Sequence, residues 1–181
     1  MNNFDIKEIL GNNHVVLQDM LDAREKRAWE QQRILDTYKC TLISFTLNIP
    51  GSIKFFPLAE KTFEEGKKLI LDQLKRHKAN VLYWKENKSN TGCEAFYAVD
   101  GDVFLIKKLM VEIENSYDLG RIFDIDVMDY ELRNISRKDI GHDGRTCLLC
   151  SEFSHLCSRN KTHTIEEVIY RTVEIMLDYF K

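Results

Sequence analysis

Apolar residues recur along this chain first at helical spacing and then at strand spacing, and the switches between the two mark out its elements. From about residue 14 to 37 Leu17, Met20, Leu21, Ala28 and Leu35 fall on one face of a long helix, with Arg24, Lys26, Arg27 and Arg33 on its other faces. The period then shortens. Residues 40–48 are β-branched and aromatic, a strand closed by Ile49, Pro50 and Gly51. Phe63, Ile70, Leu71 and Leu74 give a second helix over about 60–78. Short strands at 81–84 and 93–99 flank polar residues 87–92, whose turn chemistry predicts a hairpin.

Val103, Ile106, Leu109, Met110 and Ile113 mark a third helix from Asp102, and a strand follows at 120–129. The last helix begins at Thr164, where Thr164 and Glu167 have the spacing of a capping box, and Ile165, Val168, Ile169, Thr172, Met176 and Phe180 form its inner stripe. No repeat, linker or low-complexity segment interrupts the pattern. Strands and helices mixed in this way predict one domain over 1–181, of α+β or α/β class, a mixed sheet packed with helices and of undetermined strand order.

Composition narrows the function classes. Of 181 residues 44% are hydrophobic and 30% charged, which is ordinary for a soluble globular chain. A formal net charge of -3 argues against a nucleic-acid partner. No apolar run reaches the ~18–20 residues of a membrane helix, and residues 1–5 lack the charged and apolar regions of a secretory leader. Cysteines 40, 93, 147, 150 and 157 are odd in number, which fits reduced thiols in a cytoplasm better than a disulfide framework.

Two segments carry candidate chemistry. Asp124 and Asp126 are two apart in a strand, so both project from one face, about 6 to 7 Å apart at the backbone, while Phe123, Ile125 and Val127 point into a core. Paired carboxylates repel unless a cation offsets them, and Mg²⁺ suits them because it takes hard oxygen ligands and completes its shell with phosphates. The same pattern also fits a polar face of an edge strand. Gly120 lets backbone approach a ligand and Arg121 offers a phosphate fork, although strict alternation puts Arg121 opposite the aspartates unless the chain bends.

Cys147, Cys150, Cys157 and His163 have the residue types of a tetrahedral zinc site. Alternatively Cys147, Cys150, Phe153, Ser154 and Cys157 share one face of a helix as core residues. A continuous helix would separate Cys147 from Cys157 by about 15 Å, so zinc demands that the helix be broken. Outside the zinc reading His142, His155 and His163 are structural or incidental. Residues 133–163 hold six Lys/Arg against three acids, which fits either a solvated face or a phosphate-rich small ligand beside the aspartates.

Five blocks in order carry a resemblance: Ala23–Arg27 with Gln31 and Gln32, Ser44–Gly51, Thr91–Ala95, Gly120–Val127 and Arg145–Cys150. Together they resemble the holo-citrate lyase synthase family, the apo-citrate lyase phosphoribosyl-dephospho-CoA transferases, over most of the chain. The resemblance implies a nucleotidyltransferase-like fold. It also implies transfer of a 5-phosphoribosyl-dephospho-CoA group from triphosphoribosyl-dephospho-CoA to a serine of the citrate lyase acyl-carrier subunit, with loss of pyrophosphate. Asp124 and Asp126 would then hold Mg²⁺, with Arg121 and either Arg137 or Arg145 on the phosphates. Asp129 and Glu94 are the available bases. Cys93 and Ser52 stand where the family pattern leads one to expect proline. Other readings are a transferase of the same chemistry with a different acceptor, and a small zinc-dependent interaction module.

Overall fold

The sheet has four strands, β1 (Thr41–Leu47), β2 (Asn80–Ser89), β3 (Gly92–Asp100) and β4 (Phe123–Met128), in the order β2-β3-β1-β4. Every pairing is antiparallel, which decides the fold class as α+β. The computed structural model describes residues 4–181; residues 1–3, part of the segment examined for a leader, lie outside them. Helices are α1 (Ile6–Leu10), α2 (Leu17–Tyr38), α3 (Pro57–Arg76), α4 (Val103–Ser116), α5 (Ser154–Asn160) and α6 (Ile165–Tyr179). None is long and apolar enough to cross a membrane.

Alternation along the strands sorts the side chains into two layers. On one face Ile43, Phe45, Ala95, Tyr97, Val99, Phe123, Ile125 and Val127 join Phe63, Ile70 and Leu74 of α3 and Ile106, Met110 and Ile113 of α4 in the main core. Phe45 stacks on Phe63 and meets Phe123 edge-on, with centroids 5.0 and 5.4 Å apart. Asp102 caps α4 by accepting from Leu105 N at 2.8 Å, and Thr164 and Glu167 form the expected capping box of α6.

The opposite face changes character along its length. Leu42, Phe96, Ala98 and Met128 pack against Ile34 and Leu35 of α2. Beyond them the same face carries Ser44, Thr46, Glu94, Asp124 and Asp126. This corrects the expected α2 stripe: Leu17 is 75% and Leu21 45% exposed, whereas Glu30, Gln31, Ile34 and Leu35 are buried. The N-terminal half of α2 lies over the polar part of the sheet, so its inner face is polar too.

Other boundaries also differ from expectation. Pairing continues through Asn87↔Glu94 to Ser89↔Gly92, leaving Asn90 and Thr91 as the turn, with Gly92 at φ 113. The strand expected from 120 starts at Phe123, after a 3-10 turn over Asp118–Arg121. Residues 147–153 form a tight turn closed by the Thr146↔Phe153 bridge, so the cysteines do not share one helix. The short α1 was not anticipated, because five residues are too few to display a period.

Candidate active site

Cross-strand register builds the site from three strands. Thr46 pairs with Asp124 on one side and Glu94 on the other, while Ser44 pairs with Asp126 and Phe96. Asp124, Asp126 and Glu94 therefore rise from one face as a carboxylate row with two hydroxyls between them. From above, α2 brings Gln31, whose Nε2 donates to Ser44 Oγ at 3.0 Å, and Arg27, whose Nε donates to Glu94 Oε2 at 2.8 Å. Glu94 also accepts from Asn87.

A cavity of about 150 Å³ opens at this end of the sheet. Arg24, Arg27, Thr46, Lys54, Gly92 and Asp124 are among the residues that line it. Four of the five blocks that carry the family resemblance thus converge on one concave surface. Arg24 makes no ion pair among the described residues, and Lys54 donates to the Ile49 carbonyl. Burial, with Arg24 nearby, pushes the Lys54 ammonium below its usual value. The Asp124 carboxylate opens to solvent yet is walled in by protein; that confinement, and the neighbouring Asp126, push its carboxyl above the ordinary range. Asp126 stays bound to Asn134, which donates to it at 2.9 Å.

The arginines expected on phosphate are placed differently. Arg137 and Arg145 converge on Glu114, a carboxylate buried at the end of α4, Arg137 at 2.5 Å. Arg145 also donates to the Phe123 carbonyl at 2.7 Å, Glu114 accepts from Ile125 N at 3.3 Å, and buried Lys107 donates to the Ile125 carbonyl at 3.1 Å. These groups satisfy the outer edge of β4, which has no partner strand among the described residues. Burial lowers the Lys107 ammonium, and Glu114 and Asp126 partly offset this. Arg121 donates to the carbonyls of Thr146 and Cys147, at 2.7 and 3.1 Å. Gly120 does sit against close backbone, but that backbone is the carbonyl end of α4 and not a ligand.

Neither base candidate is free. Glu94 is held by Arg27 and Asn87, and Asp129 caps a turn by accepting from Glu131 N and Arg133 N at 2.9 and 3.0 Å. Missing from the sequence reading of the site are Arg24, Arg27, Lys54 and Gln31. Their only signal was membership of, or nearness to, the resemblance blocks, since on a helical wheel Arg24 and Arg27 read as solvent charges.

The second site is a cluster. Cys147, Cys150, Cys157 and His163 bring one ligand atom each within 4.8 Å of one another, and together they could hold a metal ion. For Cys147, burial raises the thiol but N–H groups of Leu149 and Cys150 and the neighbouring thiols outweigh it, bringing it down to about 7. Burial and Cys150 push Cys157 up to about 11.

The family model described as apo-citrate lyase phosphoribosyl-dephospho-CoA transferase matches residues 15–179. A protein of that name from Citrobacter koseri is 30% identical over 91% of this chain and 90% of its own length. One from Escherichia coli is 27% identical over 96% of this chain and 94% of its own length. The chain is also 34% identical, over 86% of its length, to a protein named Protein CitXG in Haemophilus influenzae, of which the match covers 33%.

Proposed function

The chain belongs to the apo-citrate lyase phosphoribosyl-dephospho-CoA transferase family, and from that premise we propose that it attaches the prosthetic group of citrate lyase. The donor is triphosphoribosyl-dephospho-CoA, and the acceptor is a serine hydroxyl of the acyl-carrier subunit. The serine oxygen forms a bond to the α-phosphorus, the bond from that phosphorus to the bridging oxygen breaks, and pyrophosphate leaves, with the hydroxyl proton passing to the departing pyrophosphate or to water. No covalent enzyme intermediate is needed. The work is performed by a single domain over 1–181 in the cytoplasm, where five free thiols stay reduced.

One observation carries the reading: Asp124 shares a single cavity with Arg24, Arg27 and Lys54. Carboxylates that hold a hard cation and guanidinium forks that grip phosphate oxygens are what an in-line phosphoryl displacement requires. In this proposal Asp124 and Asp126 would hold Mg²⁺, which would supply positive charge to offset the phosphates. Arg24, Arg27 and Lys54 bind the triphosphate. Arg121, Arg137 and Arg145 add positive potential from behind β4 while holding that strand in place. Gln31 fixes Ser44 beneath the site. The cysteine cluster takes zinc, apart from the reacting groups.

The test is a mass measurement. Apo-carrier subunit incubated with the protein, triphosphoribosyl-dephospho-CoA and Mg²⁺ gains the mass of the prosthetic group, and Asp124→Asn abolishes the gain. A folded wild-type protein that leaves the carrier mass unchanged would remove this function.

A further inference from the structure

We propose that Cys147, Cys150, Cys157 and His163 bind one zinc ion, and that this ion is the latch holding the Asp124 strand in position. The tetrad is preformed. Cys150 Sγ lies 3.4 Å from Cys157 Sγ and 3.3 Å from His163 Nε2, and all four ligand atoms fall within 4.8 Å of each other. A tetrahedron with Zn–S bonds of about 2.3 Å and a Zn–N bond of about 2.0 Å has edges of roughly 3.5 to 3.8 Å. Two of the spacings lie just under those edges and the others are within 4.8 Å, so small side-chain shifts close the tetrahedron, while 3.4 Å between sulfurs is too long for a disulfide, whose sulfurs bond at roughly 2.0 Å. Three thiolates and an imidazole select zinc over magnesium or calcium, which take oxygen ligands.

Two further observations point to a bound ion. Between residues 136 and 163 Cys157 is the only buried side chain, yet the segment holds a defined turn, a helix and a left-handed Lys161. Leu148 is its one side chain packed on the main core, and its other ties to the body are polar; segments with so little apolar burial are commonly stapled by a metal or a disulfide. The turn also aims Leu149 N–H at Cys147 Sγ, 3.4 Å away, a donor that favours a thiolate there.

The latch follows from a reciprocal pair of arginines. Arg145, two residues before Cys147, donates to Phe123 O and pairs with Glu114, which in turn accepts from Ile125 N. Arg121, two residues before Phe123, donates back to the carbonyls of Thr146 and Cys147. Asp124 lies between the two gripped residues. The metal holds the turn, the turn holds both arginines, and the arginines hold the edge of β4. That the latch serves catalysis rests on the transferase reading; the zinc site and the grip on β4 do not.

The experiment is therefore independent of turnover. Untagged protein is assayed for metal by mass spectrometry, and the amide exchange of Ile125 is followed in wild type, His163→Ala, His163→Cys and Asp124→Asn. Expected are about one zinc per chain in wild type, His163→Cys and Asp124→Asn, and little in His163→Ala. With zinc lost, exchange at Ile125 quickens on the order of tenfold or more, while far-UV circular dichroism stays near wild type; His163→Cys restores protection. If His163→Ala fails to fold, cobalt substituted into wild type reads the same site through thiolate-to-metal charge transfer. Absence of stoichiometric zinc and of that cobalt spectrum overturns the site. Zinc loss from Asp124→Asn overturns its location, and unchanged Ile125 exchange without zinc overturns the latch.

Discussion

Arg27 of α2 reaches Glu94 of β3 with Nε 2.8 Å from Oε2, which turns a carboxylate of the site into the anchor of a guanidinium. Glu94 thereby leaves the list of bases, and Arg27 keeps its remaining N–H groups for the cavity. Arg27→Ala should lower kcat/KM for the donor about ten- to a hundredfold, the loss of one charge-assisted contact of about 1.5–3 kcal/mol. Arg27→Lys should recover little of it, because an ammonium lacks the planar fork. Steady-state rates at varied donor concentration measure this; full recovery by lysine would show that only charge matters.

Asp124 trades stability for function. Asp124→Asn and Asp126→Asn should each reduce transfer by roughly a hundred- to a thousandfold, since removing a group that stabilises developing charge costs about that much. Asp124→Asn should also raise the midpoint of thermal unfolding at neutral pH. The sign follows from linkage. The carboxyl of Asp124 is raised above its unfolded value of 3.8, so the folded state prefers it protonated. Its ionisation costs stability above the folded pKa, and that cost vanishes as pH falls below the unfolded value. The advantage of Asp124→Asn should thus shrink on acidification. An advantage that is independent of pH would assign it to packing instead.

Much of this site was legible in the sequence because it depends on period-two alternation. Asp124 and Asp126 share a face, with Phe123, Ile125 and Val127 buried behind them, as residues two apart in a strand must. Arg24 and Arg27 were not legible, since a helix that covers a polar cavity has a polar inner face, and periodicity cannot tell that face from the solvent side. The partner of Arg137 and Arg145 was hidden for another reason. Glu114 lies 23 and 31 residues away, on a helix whose apolar stripe says nothing about a buried carboxylate at its end. The cysteine cluster hinged on one local fact, that α5 starts at Ser154 and not before Cys147.

Gly120 tests how tightly the turn before β4 is packed. A Cβ there would lie 2.5 Å from Glu114 O and 2.6 Å from Ile113 O, both backbone atoms at the end of α4. Backbone cannot rotate away as a side chain can, so Gly120→Ala must displace the turn or the helix. It should destabilise by roughly 1–3 kcal/mol, the range for overpacking. Urea unfolding gives the number, and an unchanged midpoint would mean that the turn yields freely.

Glu114 is the strongest test of the edge closure. Its side chain is 2% exposed and serves Arg137, Arg145 and the Ile125 amide together. Glu114→Gln keeps shape and most hydrogen bonding but removes the carboxylate that, among the described residues, pairs with these two arginines. Breaking a buried pair from one side costs about 3–5 kcal/mol, because the remaining charge stays desolvated. The triple variant Glu114→Gln with Arg137→Met and Arg145→Met removes these three charges at once, leaving Lys107, and should recover a large part of the loss, as an apolar replacement of a buried ionic cluster can. Denaturant unfolding of the two variants beside wild type decides the matter. If the single variant matches wild type, the arginines are already solvated, and the edge of β4 is held by Lys107 and the backbone of Ile135.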